Sequence, residues 1–138
     1  MAWKLTITLA LAASLIAQSG ETYKARLAAV AADARTRPQL AGLGSASAVL
    51  SGSKLTITGS FDGLLSPATM AQLRAGVAAG VRGPVVQELT ISKAVSGTIS
   101  GSADLTPQQV ETLHKGGFYV QISSEKAPEG VLWGWLLR

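Results

Sequence analysis

The sequence predicts a mainly β chain, an antiparallel β-sandwich carrying one or two short helices. Three observations predict it. Short runs alternate apolar and polar residues with a period of two. Clusters of Gly, Pro, Ser and Asp cut these runs at regular intervals. No strand–helix–strand rhythm and no internal repeat is present, and the short connections favour antiparallel pairing.

Thr22 to Ala28 sets Tyr23, Ala25 and Leu27 against Thr22, Lys24 and Arg26, one oily face and one basic face. Ala32 to Gly44 carries Asp33, Arg35, Arg37 and Pro38 and reads as a loop. Ser45–Leu50 and Lys54–Phe61 form the clearest hairpin, joined by Ser51-Gly52-Ser53. Ser66-Pro67 then has the form of a helix start, with Ser66 as N-cap and Pro67 in the first turn. Ala68–Ala75 is therefore expected to make one or two helical turns. Gly76–Pro84 is a glycine-rich loop, and Val85–Ile91 and Ser96–Leu105 are strands. Thr106-Pro107-Gln108-Gln109 is a capping box with Pro at the first helical position. Its helix runs to Lys115 and stops at Gly116-Gly117. Phe118–Ser123 alternates Phe118, Val120 and Ile122. Ser124–Gly130 is a polar turn, and Val131–Leu137 is the last strand.

Composition narrows function by exclusion. The chain has 138 residues, 12 Lys+Arg against 8 Asp+Glu, one His and no Cys. Without cysteine there is no disulfide, thiolate metal site or cysteine nucleophile. One histidine cannot build a His-rich metal centre within a chain. Apolar residues are 47% and charged ones 14%, which argues against disorder. At the N-terminus, Lys4 precedes an apolar run from Leu5 to Ala17. Ala17-Gln18-Ser19 then offers a small-residue cleavage site. This is the pattern of a cleaved signal peptide, residues 1–19. The alternatives are an uncleaved anchor and a buried N-terminal helix, but the run falls short of the roughly 20 residues a bilayer span needs. The expectation is one domain, residues 20–138, exported to the periplasm or beyond, with no membrane span after cleavage. Its charge of +3 after loss of Lys4 is too small to point to nucleic acid.

Few residues suggest chemistry. In the last strand Val131, Trp133, Trp135 and Leu137 share one face, and Leu132, Gly134 and Leu136 the other. Trp133 and Trp135 suit either a stacking platform for sugars or the core, and the core is the expected place for large aromatics. Arg35, Arg37, Arg74 and Arg82 read as solvated charges, though guanidinium groups that meet would suit an anion. Asp62, Asp104, Glu125 and Glu129 read as turn and surface acids. His114 is the only base available to a hydrolase, which would need a Ser or Thr and a carboxylate beside it.

The stretches Gly44–Leu50, Leu55–Phe61, Leu65–Thr69, Gly83–Val86, Gly97–Gly101, Leu105–Val110, Tyr119–Ile122, Pro128–Gly130 and Gly134 together resemble the CHRD domain, the module named for chordin. The resemblance covers about residues 22–137. It implies a small Greek-key sandwich similar to the copper/zinc superoxide dismutase architecture, with no general enzymatic activity. Many members carry a His-x-His pair and a later His suited to copper or zinc. Here those positions hold Gln72, Arg74 and Ser123, so the resemblance implies no cofactor in this chain. A pocket retained there would suit an anion or a polar ligand. The expected role is an exported, non-enzymatic structural or binding module. Its expected partner is a protein, a cell-envelope polymer or a second copy. A degenerate metal-binding protein and a small hydrolase using His114 are the alternatives.

Overall fold

The computed structural model describes residues 20–31 and 37–138. The proposed signal segment and Arg35 lie outside the described residues. The described residues form eight strands: β1 (Glu21–Ala29), β2 (Leu43–Ser51), β3 (Lys54–Asp62), β4 (Ala68–Ala75), β5 (Val85–Ile91), β6 (Gly97–Asp104), β7 (Phe118–Ser124) and β8 (Leu132–Trp135). Among the described residues one α-helix, α1 (Pro107–His114), links β6 to β7. A single 3-10 turn, Arg37–Gln39, interrupts the loop expected before β2.

All neighbouring strands pair antiparallel, in the order β1-β2-β3-β6-β5-β4-β7-β8, and β8 returns to β1. The expected sandwich is thus closed into a barrel. Alternation cannot distinguish the two, because one face of each strand turns inward in either case. β4, β5 and β6 follow one another by hairpins, and β7 returns beside β4, a Greek key. Two crossovers close the ends. Leu64 is buried where β3 stops, and its segment is pinned to the β5–β6 turn by Leu64 N to Val95 O at 3.2 Å. At the other end the Leu105 amide donates to Ser53 O at 2.8 Å, leading into α1 with Leu113 buried.

The barrel interior is filled by side chains, as eight strands require. Leu27, Leu55, Ile57, Leu73, Ile99, Phe118, Val120, Ile122, Leu132 and Leu136 are all fully buried. Each such burial contributes about 1.5–3 kcal/mol, so a chain without disulfides has a core able to hold it.

Most local expectations hold. β2 and β3 pair from Leu43–Asp62 to Ser51–Lys54, the hairpin read from the sequence. The capping box is complete: the Gln109 amide donates to Thr106 Oγ1 at 3.2 Å, and Thr106 N to Gln109 Oε1 at 2.9 Å. The helix ends in a Schellman motif, with Gly117 N to Thr112 O at 2.9 Å and Gly116 N to Leu113 O at 3.0 Å. Gly116 sits at φ +81°, where a side chain would strain the backbone.

One element differs in kind. Ala68–Ala75, expected to be helical, is strand β4. Ser66 caps no helix. It is buried, and its hydroxyl accepts from the Lys126 amide at 2.9 Å. The register of β4 against β7 shifts between Ala68 and Met70, a bulge. The bulge places the inward residues Ala68 and Ala71 three apart, which imitates a helical period.

Candidate functional site

The strand registers assemble an outer face on β4, β7 and β8. Across β4 and β7, Arg74 lies opposite Tyr119 and Gln72 opposite Gln121. Across β7 and β8, Tyr119 lies opposite Trp135 and Gln121 opposite Trp133. Directly opposed residues share a face, so all six project from the same side. That side is outward, because the intervening Ala71, Leu73, Val120, Ile122 and Leu132 fill the core.

Trp133 and Trp135 are therefore not core residues, contrary to the sequence expectation. Both faces of β8 are apolar, and composition alone could not say which turns inward. Leu132 and Leu136 take the core, and the tryptophans stand half-buried outside it. They form a cluster with Tyr119. Trp135 stacks on Tyr119 with centroids 4.7 Å apart, and Trp133 packs edge-on to Trp135 at 4.9 Å and to Tyr119 at 6.2 Å. Such pairs contribute about 0.5–1.5 kcal/mol each beyond area burial.

The β4–β5 loop folds over this cluster. Arg82 places its guanidinium carbon 4.4 Å from the Trp133 ring centroid, a cation–π contact. Tyr119 Oη accepts from the Gly83 amide at 3.0 Å and donates to the Gly83 carbonyl at 3.2 Å. Arg74 Nε donates to that same carbonyl at 2.9 Å, and its Nη1 to Gln72 Oε1 at 3.3 Å. A Cβ on Gly83 would stand 1.8 Å from Ala75 O, so only glycine lets the loop lie this close. Every residue of β7 is buried, including the outward Tyr119, which these contacts cover, and the outward Gln121 and Ser123.

The positions singled out by the family resemblance meet this face. Gln72 and Arg74 are bonded to each other on it. Ser123 lies opposite Met70, one step along the same face from Gln121, and is 3% exposed. A guanidinium that donates to the neighbouring amide, with a serine beyond it, does not fit a divalent metal, which needs basic nitrogen or anionic oxygen donors. Among the described residues no three His, Asp or Glu gather elsewhere. Of the other arginines, Arg82 joins Arg74 here, and Arg37 is exposed on the 3-10 turn.

Sequence reasoning missed Tyr119, Gln121 and the loop clasp. The missing signal was parity. Tyr119 and Gln121 alternate with the apolar residues of β7 as the tryptophans alternate with those of β8. Two polar atoms under this face have no hydrogen-bond partner among the described residues: Gln121 Oε1, an acceptor, and Trp135 Nε1, a donor. The Gln121 amide nitrogen does donate, to Glu129 O at 3.2 Å.

His114 belongs to a different cluster. Its Nε2 meets Glu21 Oε2 at 2.9 Å, and the buried Tyr23 donates its hydroxyl to the same oxygen at 2.6 Å. The Tyr23 bond, reinforced by His114, holds the Glu21 carboxyl below the usual range. Burial, with the bond to Glu21, pushes the Tyr23 phenol up to about 12. The third member beside this carboxylate is a phenol, so the Ser or Thr arrangement a hydrolase needs is not assembled at His114. The candidate acids do not pair either. Asp62 ends β3, and Asp104 lies opposite Lys54 at its start, about 26 Å away along an extended strand.

The sequence profile of the CHRD domain matches residues 24–136, nearly the whole chain. No curated protein and no solved structure matches it.

Proposed function

The chain belongs to the CHRD domain family, and on that premise we propose that it is an exported, non-catalytic binding module of the cell envelope or extracellular space. Its contact surface is the outer face of β4, β7 and β8, and its partner is a cell-envelope polymer. Three lines support this reading. The family is one of binding and structural modules rather than enzymes. The first 19 residues have the composition of an export signal. The observation that carries the reading is the aromatic cluster itself. The barrel interior is already filled, yet two half-buried tryptophans stand clustered on its outside, and aromatic residues there are typical of interaction surfaces.

Expression in an exporting host tests both parts. Mass spectrometry of the recovered protein is expected to find Gly20 as the first residue. Co-sedimentation with an isolated cell-envelope fraction is expected for this protein and lost in Trp133→Ala. An intact N-terminus would refute export by cleavage. Equal sedimentation of the two proteins, or of neither, would refute the contact surface.

A further inference from the structure

We propose that the outer face of β4, β7 and β8 binds an acidic saccharide, its sugar ring on Trp133 and its carboxylate held by Arg82 and Arg74. The inference rests on the reading that this face is the contact surface, and it names the ligand.

A sugar ring carries C–H bonds on its flat sides and hydroxyls on its rim. The aromatic cluster supplies the flat apolar partner, with the Trp133 and Trp135 centroids 4.9 Å apart. Buried beneath the face, Gln121 Oε1 and Trp135 Nε1 are an acceptor and a donor without partners among the described residues, within reach of a ligand only when the side chains covering them shift. A hydroxyl both donates and accepts, so sugar hydroxyls suit either kind of vacancy. A buried polar atom left without a partner is costly, so a ligand hydroxyl that reaches one gains from doing so.

The charge on this face selects the sugar. Neither Arg74 nor Arg82 meets a carboxylate among the described residues. Guanidinium groups pair with carboxylates through two parallel hydrogen bonds. The register that pairs Ala28 with Trp133 and Lys24 with Leu137 also brings the exposed Arg26 beside Trp135, adding positive charge at the far edge. Arg82 now lies over Trp133, where the sugar would stack. It is exposed on a loop, so it can turn from the ring to the incoming carboxylate and uncover the ring as it does so. The loop backbone stays seated through Gly83.

The test uses the protein as an exporting host processes it. Both tryptophans of the processed protein, Trp133 and Trp135, lie on this face and report occupancy by their emission. A uronic-acid hexamer, a neutral glucan hexamer and inorganic polyphosphate are titrated separately, with calorimetry beside fluorescence. The uronic-acid hexamer is expected to bind saturably and to shift tryptophan emission. Its affinity is expected to be about tenfold above that of the neutral hexamer, and to fall about tenfold in Arg82→Gln, a loop variant that leaves the barrel intact. Trp133→Ala is expected to abolish the binding. Equal affinity for the neutral hexamer, equal affinity for polyphosphate, or an unchanged Arg82→Gln would each overturn the proposal. If the uronic-acid hexamer fails while envelope co-sedimentation still depends on Trp133, the acidic sugar is wrong and the contact surface stands. If both fail, both are wrong.

Discussion

Leu132 and Trp133 are adjacent in the chain and sit on opposite sides of the barrel wall. Leu132 is fully buried among the interior side chains, so Leu132→Ala removes core contacts and leaves a cavity. A loss of about 2–5 kcal/mol is expected, read by chemical denaturation. Trp133→Ala removes two ring contacts and a cation–π contact on the outside. A loss of roughly 1.5–4 kcal/mol is expected from two such pairs and one exposed cation–π contact. A larger loss at Trp133 than at Leu132 would mean that the outer cluster holds the fold. Glu21 gives a second prediction. Its carboxyl is lowered in the folded state, first by Tyr23 and then by His114. A depressed acid adds stability that is present above the unfolded pKa and is lost as pH falls through the folded one. Melting temperature is therefore expected to drop on acidification below the usual carboxylate range, and to drop less in Glu21→Gln. Tyr23 works in the opposite direction. Its phenol is raised, so its contribution is complete below about pH 10 and is lost as pH climbs through about 12. Parallel acid limbs for the two proteins would show that the Glu21 contacts do not stabilise the fold.

Elements specified by neighbouring residues were readable from the sequence, and those specified by distant ones were not. The start of α1 depends on four consecutive residues that satisfy each other's backbone groups, and it forms as read. Thr106→Ala is expected to cost about 1 kcal/mol, with a matching fall in denaturation midpoint. An unchanged midpoint would mean that tertiary packing of Leu113 alone fixes the helix. β4 has a start signal in Ser66-Pro67, but that signal serves a crossover bonded to the β7–β8 turn, where Glu125 N donates to Pro67 O at 3.1 Å. Nothing local reveals such a partner, and the bulge disguises the period. The β4–β5 loop shows the same limit. Its glycines announce a loop, yet its seat on Tyr119 and Trp133 depends on residues about 36 and 50 positions away, a separation no local pattern encodes. Gly83→Ala is expected to lift that seat, because its Cβ would collide with Ala75 O. The loop should then be cut faster by protease and the tryptophans quenched more readily by iodide. Wild-type rates of both would mean that the strand end yields instead of the loop.

For the whole molecule, seven of the eight strands were recoverable because alternation records them, but β4 and the inward face of β8 were not, and closure depends on pairing that alternation does not record. The family resemblance supplied the order of the motifs but not the ligand chemistry, because Gln72, Arg74 and Ser123 depart from the pattern that would have named it. The face emerged only when registers placed β4, β7 and β8 side by side. Closure itself is uneven. β2 and β3 are in register along their full length, from Leu43–Asp62 to Ser51–Lys54. β5 meets β6 only at Thr90–Ser100 and Ile91–Ile99. β1 meets β8 at Ala28–Trp133 and Ala29–Leu132, and again at the bridge between Lys24 and Leu137. Between those points Gly134 faces Arg26 O so closely that a Cβ would lie 2.3 Å from it. Local opening free energy follows the number of contacts that must break together. Hydrogen exchange is therefore expected to be at least about tenfold faster for amides donated across the β5–β6 and β1–β8 seams than for those of the β2–β3 ladder. The barrel would then breathe as two sheets, one built on β1, β2, β3 and β6 and the other on β5, β4, β7 and β8. The aromatic face lies within the second sheet and would move with it as one piece. Equal exchange across seams and ladders would mean that the closed barrel opens only by global unfolding, and that ligand entry depends on the β4–β5 loop alone.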